Sequence, residues 1–140
     1  TCQASDHGPG RLVFSEPLVW VGVKNGRARD NEVVSLALAG KECAWRHMAL
    51  EQLNQAGRRY RIAYTCENCQ GQLAALMADL AVAPLPLSLL GPGFERLGLK
   101  HGLPPLQNYE VRLLEHGDIG RAGKAFATHV VDSFAELTRA

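Results

Sequence analysis

Cys66-Glu67-Asn68-Cys69 is the sharpest chemical feature of the chain. A Cys-x-x-Cys where a strand ends and a helix begins sets thiols beside backbone amides and the positive end of a helix dipole, an arrangement that lowers a thiol pKa. The spacing suits a redox pair, Cys66 with Cys69, or half of a zinc site. There is no second Cys-x-x-Cys and no His-x-x-x-His, so no metal site is expected. The competing reading is two small half-buried residues at a strand–helix corner, structural or lining a ligand. Thr65 and Asn68 add to it, because polar residues at the C-terminal end of a strand, near helix N-terminal amides, bind anions and small ligands in open α/β sheets. Their structural role is helix capping, and the two roles can coexist.

Other chemistry is poorly supplied. Ser15, Ser35, Ser88 and Ser133 sit in no Gly-x-Ser-x-Gly elbow, and the five histidines share no motif. Glu51, Asp79 and Glu110 are isolated acids, which are ordinarily solvated. Gly-Pro-Gly at 8–10 and 91–93 lacks the spacing of a phosphate-binding loop and reads as turns. The residues therefore point away from an enzyme and call for no cofactor.

The elements that position the corner follow from hydrophobic spacing. Residues 1–10 carry no period and read as a loop. Leu18 to Val23 is apolar on both faces, which argues for a strand inside a sheet. Val33 to Ala39 is a strand or an extended entry to a helix. Cys43, Met48, Ala49, Leu53 and Ala56 share a helix face over 41–56, with Gly57 as the stop. Residues 60–65 alternate as a strand, and Leu73, Leu76, Met77 and Leu80 predict a helix over about 67–79. Pro84 and Pro86 limit the next strand to an edge position or to its first residues. A further strand spans 109–114. Ala122, Phe126, Val130, Phe134 and Leu137 form the clearest helical stripe. Strands alternating with helices imply an α/β fold with a mostly parallel sheet flanked by helices.

Composition sets modest bounds. The 140 residues suffice for one domain with a real core, and 46% apolar with 21% charged residues is ordinary globular usage. A net charge of +1 leaves no electrostatic footprint for nucleic acid. No apolar run would cross a membrane and no export signal is visible, so a reducing cytoplasm is expected. The chain begins at Thr1 without Met, which points to a fragment or a processed product.

An ordered set of short stretches carries a family resemblance: Ser15-Glu16-Pro17-Leu18-Val19-Trp20-Val21; Cys43-Ala44-Trp45-Arg46 with Ala49-Leu50 and Ala56-Gly57-Arg58; Tyr64-Thr65-Cys66 ahead of Gly71; Ala74-Ala75 with Val82 and Leu85-Pro86; and Gly102-Leu103-Pro104-Pro105-Leu106. In order and spacing these resemble the C-terminal part of the effector-binding domain of LysR-type transcriptional regulators. Two departures stand out: Asp79-Leu80-Ala81 where the family usually has Gly-x-Gly, and Cys66 where it usually has serine.

The resemblance implies a fold like that of type II periplasmic binding proteins. Residues 1–14 would be a leader from the first subdomain, 15–116 the second subdomain, and 117–140 a C-terminal helix returning to the first. It implies a small-molecule effector of unknown identity, bound from this side by Thr65, Cys66, Glu67 and Asn68. It also implies homo-oligomerisation, and DNA binding only through an N-terminal winged helix-turn-helix that is not in this chain. Two other functions compete: a thiol-based redox sensor using Cys66 and Cys69, and a solute-binding protein of the same fold. The two tryptophans, Trp20 and Trp45, read as core packing.

Overall fold

A computed structural model describes residues 2–4 and 9–139. Seven strands and three α-helices follow in the order β1 (Cys2–Ala4), β2 (Arg11–Val23), β3 (Val34–Leu38), α1 (Ala44–Gln55), β4 (Tyr60–Thr65), α2 (Cys69–Met77), β5 (Ala83–Pro86), β6 (Phe94–Leu97), β7 (Asn108–Leu113) and α3 (Gly120–Arg139). They group into two compact units, residues 17–107 and residues 1–16 with 108–140.

In the unit 17–107, β3 is the centre. All five of its residues are at most 3% exposed, so β3 must be covered on both faces, and alternation sends its side chains to two separate cores. Val34, Leu36 and Leu38 join Trp20, Ala49, Leu53, Val82 and Leu103 on the α1 side. Ala37 joins Val19, Val21, Ala75, Leu76 and Leu85 on the α2 side. Helix α1 buries Met48, Ala49 and Leu53, and α2 buries Ala75 and Leu76, so each helix seals one face. The indole N–H of Trp20 donates to the Pro104 carbonyl at 2.8 Å, which satisfies its one polar atom inside the core.

Strand β4 runs parallel to β3, with a bulge between Leu36 and Ala37. An isolated parallel bridge, Leu36 with Val82, joins them to β5: Ala37 N–H donates to Val82 O and Val82 N–H to Ser35 O, both at 2.9 Å. The expected mostly parallel pairing holds here, where a helix lies between successive strands. It gives way at β2, whose partners β5 and β6 both run antiparallel to it. Strand β2 pairs antiparallel with β5 through Leu18–Pro86 to Val21–Ala83, and with β6 through Trp20–Leu97 to Val23–Phe94. The prolines are accommodated because only Ala83 and Leu85 need donate to β2.

Helix α1 ends as its sequence predicts. Gly57 takes φ +65°, its N–H bonds Asn54 O, and Arg58 N–H bonds Leu53 O. Helix α2 closes with the same pair of bonds, Asp79 N–H to Leu76 O and Leu80 N–H to Ala75 O. Here, however, the left-handed residue is Asp79, at φ +53°. An aspartate tolerates that conformation better than most side chains, and this one has employment: its carboxylate accepts the N–H groups of Arg27 at 2.7 Å and Ala28 at 3.1 Å. Asp79 is thus a tie between the end of α2 and the turn after β2. Gly26 must be glycine beside it, since a Cβ there would fall 2.5 Å from Asp79 Oδ1.

In the other unit, β1 pairs antiparallel with β7, from Cys2–Val111 to Ala4–Tyr109. The expected loop over residues 1–10 is therefore corrected at 2–4, while residues 5–8 lie outside the described part. Strand β2 also begins seven residues earlier than expected, at Arg11, where only Leu12, Val13 and Phe14 hinted at it. Tyr109 donates its hydroxyl to Glu16, Arg112 binds the Gly10 carbonyl at 3.0 Å, and Phe14 packs on Phe134 of α3 with ring centroids 5.7 Å apart. Elsewhere on the α3 stripe Val130 is half-buried, while Phe126 and Leu137 are 67% and 65% exposed.

Replacing Asp79 tests the tie at the end of α2. Asp79→Ala loses both acceptors and should lower the unfolding free energy by about 1–3 kcal/mol, whereas Asp79→Asn should cost less; urea denaturation measures both. The Arg27 hydrogen bond, ahead of the smaller contributions of Ala28 and Arg29, holds the Asp79 carboxyl below its ordinary 3.8. Its stabilisation is therefore complete above that value and lost as pH falls through the lower folded-state value. Asp79→Asn should flatten that acid limb.

Candidate functional site

Because β3 and β4 are parallel, their C-terminal ends lie together, and the loops that leave them start at one edge of the sheet. One backbone bond fixes the junction: Cys66 N–H donates to Leu38 O at 2.9 Å. The loop after β3 is held by Arg46, whose Nη1 donates to Ala39 O at 3.0 Å. It then enters α1 with Cys43 as the extended N-cap residue. The loop after β4 enters α2 through Asn68, extended at φ −129°, whose Oδ1 accepts Gly71 N–H at 3.1 Å. That cap is why α2 begins at Cys69 and not at Glu67.

Between the two loops lies a pocket of about 450 Å³. Ala39, Gly40, Lys41, Glu42, Cys43 and Trp45 form the wall from the β3 side, and Glu67, Asn68, Cys69 and Gln72 the wall from the β4 side. The Glu67 carboxylate sits so close over Gly40 that a Cβ there would lie 3.0 Å from both of its oxygens. Its volume suits a small molecule. Lys41 and the N-terminal end of α2 supply positive potential, while Glu42 and Glu67 supply acceptors; Cys43, Cys69 and Trp45 give apolar surface.

The four residues expected to contact an effector divide into two pairs. Glu67 and Asn68 stand in the pocket wall. Thr65 is exposed at the end of β4, and the half-buried Cys66 turns toward the helix: an ideal Cβ on Gly71 would lie 2.9 Å from its Cβ and Sγ. Cys66 and Cys69 are both free thiols, and only Cys69 lines the pocket, where Cys43 is its companion. Among the described residues, no three His, Cys, Asp or Glu side chains gather as metal ligands.

Sequence reading missed the β3 side of the pocket. The rule that drew attention to the loop after one parallel strand applies equally to the loop after its neighbour, so 39–43 could have been found once 34–38 was taken as a strand. Gln72 was also legible in principle, three residues beyond Cys69 on the same helix face. Trp45, expected in the core, lines the pocket, while Trp20 is in the core as expected.

No protein-family model matches the chain. In sequence it is similar to the HTH-type transcriptional regulator PecT of Dickeya dadantii (strain 3937), 27% identical over 118 residues, which are 84% of this chain and 37% of that protein. The chain thus spans little more than a third of the length of this curated relative. In structure it is similar to full-length HypT of Salmonella typhimurium, a hypochlorite-specific LysR-type transcriptional regulator, with a TM-score of 0.71 and 14% identity over 96% of this chain and 51% of that one. It is also similar to the effector binding domain of QuiR in complex with shikimate, with a TM-score of 0.68 and 13% identity over 96% of this chain and 71% of that one. The fold is that of LysR-type regulatory domains, α/β and like the periplasmic binding proteins.

Three substitutions test how the corner is built. Asn68→Ala should cost about 1 kcal/mol by removing the cap. Alanine is a better helix former than glycine by about 1 kcal/mol, yet Gly71→Ala should destabilise, because the new Cβ meets Cys66. Adding Cys66→Ala should restore part of that loss by removing Sγ; thermal unfolding of the three variants reads the sign directly.

Proposed function

We propose that this chain is the C-terminal part of the effector-binding domain of a LysR-type transcriptional regulator, and that the pocket between its loops 39–43 and 66–69 is this side of the effector site. The observation that carries the reading is the pocket's place. It lies at the C-terminal ends of two adjacent parallel strands, where open α/β sheets take ligands, within a fold shared over nearly the whole chain with regulatory domains.

On this reading Glu67 and Asn68 face the effector, and Thr65 and Cys66 border it. The α2 N-terminal end and the Asn68 amide offer positive potential and a donor to an effector carboxylate. The chain itself performs no reaction; ligand binding shifts the population of domain conformations. DNA is contacted by a winged helix-turn-helix elsewhere in the protein, which acts as a homo-oligomer in the cytoplasm. Among the described residues no helix is long and apolar enough to cross a membrane.

The second subdomain, expected over 15–116, is on this reading the compact unit 17–107, and β1, β7 and α3 belong to the first. The exposed Phe126 and Leu137 support this assignment, since a stripe that apolar is ordinarily covered.

The test is a pair of measurements on the intact protein: selection of binding sites from random duplex DNA, and thermal shift against a library of small carboxylates. The expected result is recovery of one DNA sequence, a stabilising carboxylate, and a Glu67→Lys variant that keeps the DNA sequence and changes the carboxylate response at least tenfold. Failure to select any DNA, or a carboxylate response indifferent to Glu67→Lys, contradicts the reading.

A further inference from the structure

Gln72 is buried, 3% exposed, and lines the pocket from the first turn of α2. Its Oε1 accepts no hydrogen bond among the described residues. Buried polar atoms nearly always have partners, and one left without costs more than a formed hydrogen bond gains. The wall holds donors in Lys41, the Asn68 amide and the Trp45 indole, but none of them bonds Gln72 Oε1. Ionised carboxylates such as Glu42 and Glu67 carry only acceptors, and the thiols of Cys43 and Cys69 are weak donors. A ligand that enters this pocket with an N–H or O–H would meet the unused acceptor; a ligand without one would bury it further.

The wall also sorts charge. Lys41 and the capped end of α2 favour an anionic group on the ligand. Glu42, Glu67 and Gln72 favour a donor, and the two acids favour a positively charged donor over a neutral one. A carboxylate alone would satisfy the first set and be opposed by the second.

We propose that Gln72 sets the specificity of this pocket, and that its ligand is a small carboxylate bearing an amino or hydroxyl group whose hydrogen is delivered to Gln72 Oε1. The inference rests on the reading of the pocket as an effector site and adds the ligand's chemical class to it. Discrimination by a buried polar group left unpaired is stronger than discrimination by shape alone.

Calorimetry on the intact protein tests it with three matched probe series: 2-amino, 2-hydroxy and unsubstituted straight-chain carboxylic acids of equal length. The wild-type protein should bind amino acids at least tenfold more tightly than unsubstituted acids, with hydroxy acids between. Gln72→Met, similar in volume and with only a weak thioether acceptor, should lose that preference while binding unsubstituted acids as well or better. Gln72→Glu, which keeps acceptors, should retain the preference for the amino series. Equal binding of all three series by the wild-type protein, unchanged in Gln72→Met, overturns the role of Gln72 and leaves the pocket standing. It would mean that water satisfies Oε1 or that the amide turns its Nε2 to the pocket. Binding of no series overturns both the inference and the carboxylate-site reading beneath it.

Discussion

The complete burial of β3 is the constraint on which the rest depends. Five consecutive residues with almost no solvent contact require a neighbour on each edge and a helix on each face. The edges are taken by β4 and, through Val82, by the start of β5; the faces are taken by α1 and α2. Parallel pairing then forces each connection to cross over as a helix. It also forces both helices to begin at the same edge of the sheet. The pocket is a consequence of that geometry, and its side chains are those that happen to occupy the two loops and first turns.

Helix α2 is tied at both ends by side chains and not only by packing. At its start Asn68 caps Gly71, and Cys66 fills the space that Gly71 leaves. At its end Asp79 turns the chain and binds the backbone after β2. Beside that turn, Glu95 accepts the Asn25 N–H at 2.8 Å and pairs with Arg29, whose hydrogen bond draws the carboxyl below its usual range. These charged ties are exposed or only partly buried, so their contribution is chiefly positional.

Much of this architecture was legible in the sequence, and the reasons for the exceptions are particular. The strand at 60–65 was read to the residue, and the helix before it, expected over 41–56, was read closely at its end, where Gly57 marks the stop, and three residues early at its start. Strand 18–23 was read as interior from its unbroken apolar run. The same logic failed before Pro17, where β2 continues through residues that are partly or fully exposed and Pro17 looked like a boundary. Strand β6, Phe94–Leu97, has Glu95 and Arg96 at its centre, and nothing local marks it; it exists because β2 offers it an edge. At the corner, spacing drew attention to Cys66 and Cys69 as a pair. Spacing along the chain cannot say that Cys66 faces Gly71 while Cys69 lines the same pocket as Cys43, a residue 26 positions earlier.

The central claim is that a small molecule occupies the space between loops 39–43 and 66–69. Alkylation of the thiols in the intact protein, followed residue by residue by mass spectrometry, tests it most directly, because Cys43 and Cys69 line that space and Cys66 does not. In the presence of a carboxylate that raises the melting temperature, the account predicts slower modification of Cys43 and Cys69 and an unchanged rate at Cys66. Unchanged rates at Cys43 and Cys69 under saturating ligand would contradict it.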